Sequence, residues 1–462
     1  AEIACLPELC ITGYTCQDLF LQRRLLDSAW ESLLTIAEET ADVDALIFLG
    51  LPMRMNGKLY NVAAALNHGN ILGFVPKTHI PNYNEFYEQR HFASGMDVWT
   101  DVTVGEESVP FASNLIFSCE GLPELTVGAE ICEDLWVPLP PSVNLAQGGA
   151  HIIVNLSASD EMVGKDSYRR TLVSGQSARL ICGYIYASAG EGESTQDLVF
   201  GGQNMIAENG SMLAESRRFE NGIIYSEIDV QRMADERRRM STYPAVSTCS
   251  HTRVGFSVEE EETELTRTYP QYPFVPSVKE ERDERCEEIL NIQAMGLKKR
   301  MEHIHSRSAV VGLSGGLDST LALLVMARAF DRMGMAQRCP DEDTAAECYL
   351  AYYKVLEQAG LRHYEISNAA QPGYESRHNT VYWQLGEYLG IGPGAASYHE
   401  GRRFRFREDM TQFLAAEDVW RLPLDDGPGG DWEEALMLSL RLAEGLTPVL
   451  AARYGQDYAA LL

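Results

Sequence analysis

Basic residues are scarce in this 462-residue chain: 38 Lys and Arg stand against 67 Asp and Glu, a net charge of −29. Such a surface repels polyanions, which excludes nucleic acid and anionic membrane as partners. No apolar run reaches the roughly 18 residues of a membrane-spanning helix, and no secretory leader opens the chain. An initiator methionine is also missing; Ala1 falls inside a strand-like run, and the start reads as truncated. The ten cysteines include no Cys-x-x-Cys pair, so neither a disulfide framework nor a metal site is signalled. A reducing, cytoplasmic location is the expectation.

What is present fits folded α/β domains. The length leaves room for two or three of them, and 45% of the residues are hydrophobic. Residues 1 to about 250 alternate helix-like and strand-like pieces. Between Arg24 and Thr40, Leu25, Leu26, Ala29, Leu33, Leu34 and Ala37 recur at helical spacing. Ala45 to Leu51 is a continuous apolar run, as a buried strand would be. Leu59 to Leu66 and Asn70 to Val75 flank His68-Gly69, a hairpin signal. His151 to Asn155 and Tyr184 to Ala189 read as short strands, with a helical pattern from Arg169 to Ile181 between them. Periodicity alone leaves several α/β folds open.

The rest is organised around one stretch. A strand-like run from Leu125 to Ile131 stops at Cys132 and turns into Glu133-Asp134-Leu135-Trp136. That layout puts a thiol at the C-terminal edge of a sheet, where loops build active sites. A thiol attacks carbonyls as thiolate, so it needs a base and a positive group nearby. Glu8 in Leu6-Pro7-Glu8-Leu9 and Lys77 in Val75-Pro76-Lys77-Thr78 sit in similar strand-end settings. Singly, each is weak evidence: a cysteine is more often a small buried hydrophobe, and a lone Glu or Lys a surface charge.

Together, Glu8, Lys77 and Cys132 resemble the Glu-Lys-Cys triad of the nitrilase superfamily. Longer stretches extend the match: Pro-Glu-Leu-Cys-Ile-Thr-Gly-Tyr, Pro-Lys-Thr-His-Ile-Pro-Asn-Tyr and Ile-Cys-Glu-Asp-Leu-Trp-Val-Pro. They are similar to the glutaminase domain of the glutamine-dependent NAD synthetase family. The resemblance implies a nitrilase-like αββα sandwich over residues 1–252, with the family's first strand and helix missing. It also implies roles: Cys132 would attack the side-chain amide of glutamine, Glu8 would be general base, and Lys77 with the Glu133 N–H would stabilise the oxyanion. Tyr83, Glu133, Ser159 and Lys165 match positions that bind the glutamine. Lys165 stands where a relative carries arginine, which puts a bidentate carboxylate clamp in doubt.

An acidic run, Glu259 to Glu264, and three prolines between Tyr269 and Pro276 make 253–284 read as an exposed linker. A helix is expected from about Arg285. Ala309 to Leu313 then reads as a short buried strand running into Ser314-Gly315-Gly316-Leu317-Asp318-Ser319-Thr320, with a new helix from Leu321 to Phe330. Glycines at a strand-to-helix turn let backbone N–H groups approach a phosphate. The Gly-Lys-Ser/Thr of a Walker loop is absent. Ser-Gly-Gly-x-Asp-Ser resembles the signature of N-type ATP pyrophosphatases. That resemblance implies ATP, with Mg2+, held by Gly312, Leu313, Ser314, Gly315, Gly316, Leu317, Asp318 and Ser319. Residues 285–336 would then be part of a parallel-sheet nucleotide domain. The family passes ammonia to adenylated nicotinate adenine dinucleotide, so glutamine, ATP and that dinucleotide are the expected small molecules, with a homo-oligomer as the assembly.

Past Met335 that pattern is no longer visible. Pro340-Asp341-Glu342-Asp343 opens a helix with Cys348, Tyr349, Tyr352 and Leu356 on one face, ended by Gly360. His363–Asn368, Gly373–Asn379 and Tyr382-Trp383 resemble the C-terminal part of the radical-SAM haem chaperone family, related to coproporphyrinogen oxidase. Residues 337–462 are therefore expected to be an α+β fragment, and the chain to be two partial proteins joined near 336–340. The three-cysteine cluster motif is not in the chain, so no iron–sulfur cluster and no radical chemistry are expected. His378 to Trp383 reads as a strand and aromatic core before it reads as a haem contact. Two other functions stand beside the synthetase: a stand-alone nitrilase-type amidase, and a non-catalytic haem-binding or interaction module in the C-terminal fragment.

Overall fold

A computed structural model describes residues 2–193, 197–244, 250–260, 263–269, 271–312, 316–335, 341–422 and 424–461. The expected junction at 336–340 lies outside the described residues. The chain divides into two compact units, Ala1–Phe274 and Val275–Leu462.

The first unit contains thirteen strands and four α-helices among its described residues. In chain order these are β1 (Ile3–Cys5), α1 (Arg23–Glu39), β2 (Leu46–Met55), β3 (Lys58–Asn67), β4 (Asn70–Pro76), β5 (Trp99–Val104) and β6 (Glu107–Ala112). There follow β7 (Leu115–Cys119), β8 (Thr126–Ile131), α2 (Pro141–Gln147), β9 (Ile152–Ser157), α3 (Lys165–Leu180) and β10 (Gly183–Ser188). Last come β11 (Met205–Glu208), β12 (Ser211–Glu215), α4 (Val230–Arg239) and β13 (Thr252–Phe256). One sheet runs β1-β2-β3-β4-β6-β5, the other β12-β11-β10-β9-β8-β7-β13.

Side-chain alternation along the strands explains why the sheets stack. In β2, Leu46 and Phe48 face a core shared with Val127, Ala129 and Ile131 of β8 and with Ile152, Val154 and Leu156 of β9. The intervening Ile47, Leu49 and Leu51 face outward, where Leu33 and Ala37 of α1 cover them. On the second sheet the outward set, Ile153, Tyr184 and Tyr186, packs with Leu145 of α2 and with Val173 and Leu180 of α3. A strand buried on both faces must be apolar throughout, which is why these segments read as continuous runs. The outcome is the expected αββα sandwich. His68 and Gly69 both adopt positive φ, 48° and 80°, at the β3–β4 turn, the requirement of a tight two-residue hairpin.

The sheet reaches further along the chain than expected. Residues 253–256, read as linker, form most of β13, which pairs in parallel with β7. Beyond it, Arg267 donates two hydrogen bonds to Glu208, at 2.9 and 3.1 Å, tying part of the connector to β11.

In the second unit, α5 (Lys279–His303) starts six residues before the expected point. It packs on α6 (Leu317–Arg332), burying Ala294 and Met301 with Val325 and Ala329. The strand expected at Ala309–Leu313 is not formed over its described part: Ala309 to Gly312 is coil, and Val310 is 98% exposed. A parallel strand needs neighbours to take its N–H and C=O groups and to cover both faces. Among the described residues the sheets of this unit are antiparallel and small, and none offers such a neighbour. They are β14 (Arg362–Glu365) with β15 (Asn368–Ala370), and β16 (Ala396–His399) and β17 (Arg402–Arg405) with β18 (Leu424–Pro428).

The helix at Asp341 forms as α7 (Glu342–Gln358), its N-terminus capped by the Asp341 side chain. The packed face differs from the expected one. Tyr353 is the buried residue, stacked on His363 at 3.8 Å, while Cys348 and Tyr352 are exposed. His378 to Trp383 lies in helix α8 (Arg377–Trp383), not in a strand. The signal was Ser376, whose hydroxyl caps the helix by accepting the Asn379 N–H.

Candidate active site

Three strand ends of the two stacked sheets supply the triad. Glu8 follows β1, Lys77 follows β4 and Cys132 follows β8; all three are buried. Lys77 Nζ lies 2.7 Å from Glu8 Oε1. Asn61 Nδ2 donates to that same oxygen at 2.6 Å. Glu8 Oε2 is buried and has no hydrogen-bond partner. Glu8 and Lys77 of the expected triad are thus in contact, with one carboxylate oxygen left open, and both charges act on the Cys132 thiol.

A second carboxylate joins it. Glu88, which reads in sequence as an ordinary surface charge in Tyr87-Glu88-Gln89-Arg90, is buried. It holds Lys77 Nζ at 2.7 and 2.9 Å and accepts the Tyr14 hydroxyl at 2.8 Å. Burial works against the Lys77 charge, but Glu8 and Glu88 outweigh it and hold its pKa well above the usual lysine range. For Glu8, burial dominates over the Lys77 attraction and raises its pKa to about 7. Cys132 is raised by burial and then by the Glu8 charge, with Lys77 and a Ser157 hydrogen bond pulling it partly back. At rest the sulfur is therefore a thiol, and its proton must leave as it attacks.

The loop carrying the thiol is held in an uncommon shape. Cys132 has φ 44°, a left-handed conformation that costs a β-carbon residue on the order of 1–3 kcal/mol. Asp134 accepts the Ile131 N–H at 3.1 Å and the His79 N–H at 2.8 Å, tying the loop to the segment after Lys77. The Asp134 hydrogen bond also raises the His79 pKa against the effect of burial. Asn155 Oδ1 accepts the Cys132 N–H at 3.1 Å. Gly50 on β2 lets the Glu8 segment in: a Cβ there would stand 2.2 Å from Leu9 N and 2.9 Å from Glu8 C.

Each of the four expected glutamine-binding residues has a polar partner. The Tyr83 hydroxyl donates to Glu133 Oε1 at 2.8 Å, and burial raises both pKa values. Lys165 is ion-paired with Asp160 and lies over the rings of Phe86 and Trp136, 5.5 and 5.4 Å from their centroids. Ser159 is buried and accepts a 3.1 Å bond from Arg169 Nη2. Arg169 itself was not legible in sequence. It is fully buried and also holds Glu161 and Gln203, at 2.8 and 2.5 Å.

The expected ATP loop is not assembled in the same way. Leu313, Ser314 and Gly315 lie outside the described residues. Gly312, Gly316, Leu317 and Asp318 are exposed, and Leu317 opens α6 four residues earlier than expected. The Ser319 and Thr320 hydroxyls turn back to the Gly316 carbonyl at 3.1 and 2.9 Å, as residues of a helical first turn do.

Comparison with known proteins locates these two regions. Residues 289–374 match the NAD synthase family model, running past Met335, where the motif reading stopped. A glutamine-dependent NAD(+) synthetase of Mycobacterium tuberculosis is 40% identical over 344 residues, 72% of this chain and 51% of that protein. One from Thermotoga maritima is 29% identical over 334 residues, covering 72% and 53% respectively. A crystal structure of such a synthetase from Cytophaga hutchinsonii is 33% identical over 47% of this chain and 35% of its own, at a TM-score of 0.42. The chain spans about half the length of the curated relatives it matches. Residues 1–238, more than half of the chain, match the carbon-nitrogen hydrolase family model, and the chain belongs to that family.

Proposed function

We propose that this chain hydrolyses the side-chain amide of glutamine at Glu8, Lys77 and Cys132, as the ammonia-supplying part of a glutamine-dependent NAD synthetase. The observation that carries the reading is the open Glu8 Oε2, with its partner oxygen fixed by Lys77 and Asn61. In the proposed reaction, Cys132 Sγ bonds to the amide carbon while its proton passes to that oxygen. The carbonyl oxygen becomes an oxyanion, stabilised by the Lys77 ammonium and the Glu133 N–H. Glu8 returns the proton to the departing nitrogen, the C–N bond breaks, and ammonia and a thioester remain. Glu8 then takes a proton from water as the water attacks the thioester and passes it to the departing Cys132 sulfur, releasing glutamate and restoring the thiol.

Tyr83, Glu133, Ser159 and Lys165 would hold the α-amino and α-carboxylate groups. Lys165 would offer a point charge to the carboxylate, not a bidentate fork. Passing ammonia on requires ATP and nicotinate adenine dinucleotide, for which the Gly312–Ser319 loop would supply phosphate donors. Among the described residues no group of three or more His, Cys, Asp or Glu is placed to hold a metal ion. In this reading Mg2+ would enter as a companion of ATP. A cytoplasmic homo-oligomer is the setting this reading implies; among the described residues no helix is long and apolar enough to cross a membrane.

A stand-alone amidase is the second reading, favoured by the exposed, strandless approach to the loop at Ala309–Gly312. Ammonia release from glutamine, measured with and without ATP and the dinucleotide, tests both. The expected result for this 462-residue chain is glutamine hydrolysis with little or no NAD. Robust NAD formation with equal AMP would remove the amidase reading, and absence of ammonia would remove the glutaminase.

A further inference from the structure

Behind the nucleophile lies a row of buried polar groups that the triad chemistry does not use. Glu130 on β8 is met by donors: the Ser142 N–H reaches Oε2 at 2.8 Å, and the Tyr184 hydroxyl reaches Oε1 at 2.5 Å. Tyr184 has one hydroxyl hydrogen. Once it is given to Glu130, its oxygen must accept, and it takes Asn155 Nδ2–H at 3.0 Å. Asn155 Oδ1 is then left facing the Cys132 N–H at 3.1 Å. The Asn155 side chain is fully buried. Turning the amide over would aim its NH2 at the Cys132 N–H and lose both bonds, so the Cys132 N–H, which can only donate, and the acceptor at Glu130 together set the sense of the row.

We infer that Asn155 is a positioning residue for Cys132, oriented by Tyr184 and Glu130, which holds the nucleophile's backbone in its left-handed turn. The inference rests on the reading of Cys132 as the nucleophile. A second pair runs alongside and has a different object. The Ser157 and Tyr186 hydroxyls lie 2.6 Å apart, and Ser157 draws the Cys132 pKa down against burial. Asn155 and Tyr184 act on the peptide that aims the sulfur. Holding the Cys132 N–H fixes where the sulfur points relative to Glu8, and where the next amide, of Glu133, meets the forming oxyanion.

Asn155→Ala and Tyr184→Phe in the full chain test this, with Cys132→Ala as the blank. Two rates are read: alkylation of Cys132 by iodoacetamide, and ammonia release from glutamine per alkylatable Cys132. Asn155→Ala is expected to lower both about 10²-fold, the scale of a small misplacement of a reacting group, with the KM for glutamine changing by less than about threefold. Tyr184→Phe, which keeps the ring, is expected to lower both about tenfold in the same pattern. Parental rates per alkylatable site in either variant overturn the inference, even if fewer sites are alkylatable, because that is the signature of a purely structural role. If Asn155→Ala does not fold, Tyr184→Phe decides alone. If the parent alkylates at Cys132 but releases no ammonia, the glutamine reading fails, and the alkylation rates still decide the role of Asn155.

Discussion

Val154 and Val310 are the same side chain in the two units of the chain, with opposite fates. Val154 is fully buried between two sheets, and Val310 is 98% exposed ahead of the expected ATP loop. In sequence both sit in short apolar runs, His151–Asn155 and Ala309–Leu313, and both read as strands. The difference is the neighbours. Residues 152–157 find β8 on one side and β10 on the other, with helices over one face and the opposite sheet over the other. Residues 309–312 find no strand to pair with among the described residues. A strand is a non-local structure, and an apolar run only records that it would be buried if partners were supplied. The same contrast separates the two functional regions. Glu8, Lys77 and Cys132 are fixed by three strand ends, whereas the loop at 312–319 is, in its described part, the exposed start of one helix.

The largest effect that sharpens this comparison is at the nucleophile. Cys132→Ala is expected to reduce ammonia release from glutamine to background, since no other group there can carry the acyl intermediate. Retained glutaminase activity would mean the assembled region is not the active one.

Next is Glu8. Glu8→Gln is expected to lower kcat/KM on the order of 10²–10⁴-fold by removing the proton acceptor. The pH dependence has a definite sign. The base must be ionised and burial raises it to about 7, so kcat/KM should rise with pH through an inflection near 7. A carboxyl whose folded pKa is raised also stabilises the fold when protonated. That contribution is complete below the unfolded value of about 4.5 and is lost as pH rises through about 7. A pH profile flat between 5 and 9 would contradict the assignment of Glu8 as base.

Gly50→Ala is expected to be milder, on the order of 10²-fold in kcat. Its Cβ would collide with the backbone at Leu9 N and Glu8 C, which cannot move without moving the base. Unchanged kinetics in this variant would show that Glu8 tolerates displacement, against the geometry described above.

How much of this could be read from sequence follows the same division. The triad was legible because each member sits in a local pattern, an apolar run ending at a chemically able residue. Glu88, Asn155 and Arg169 were not, because each is polar and none is marked by its sequence neighbours. Their roles arise only when Glu88 meets Lys77 across the site, Asn155 meets Cys132 across two strands, and Arg169 meets Ser159 and Glu161. The sandwich was legible as a resemblance and is explained by alternation, Leu46 and Phe48 inward against Ile47 and Leu49 outward. The helix at Arg377–Trp383 was missed because seven residues are too few for periodicity to separate helix from strand, although the cap at Ser376 was there to be read.

The smallest effect is the one that tests the comparison itself. Val154→Ala removes two buried methyl groups from a core that cannot close around the gap, and should lower unfolding free energy by about 2 kcal/mol. Val310→Ser removes the same methyl groups from water and should change stability by less than about 0.5 kcal/mol. Chemical denaturation of both variants, followed by tryptophan fluorescence, measures the two differences. Equal losses would mean that Val310 is buried in solution, and that residues 309–312 have found a strand partner. The loop at 312–319 would then have the support a phosphate cradle needs, and the case for NAD formation by this chain would strengthen accordingly. Unequal losses in the stated direction would leave the glutaminase site as the part of the chain with a built, buried chemistry.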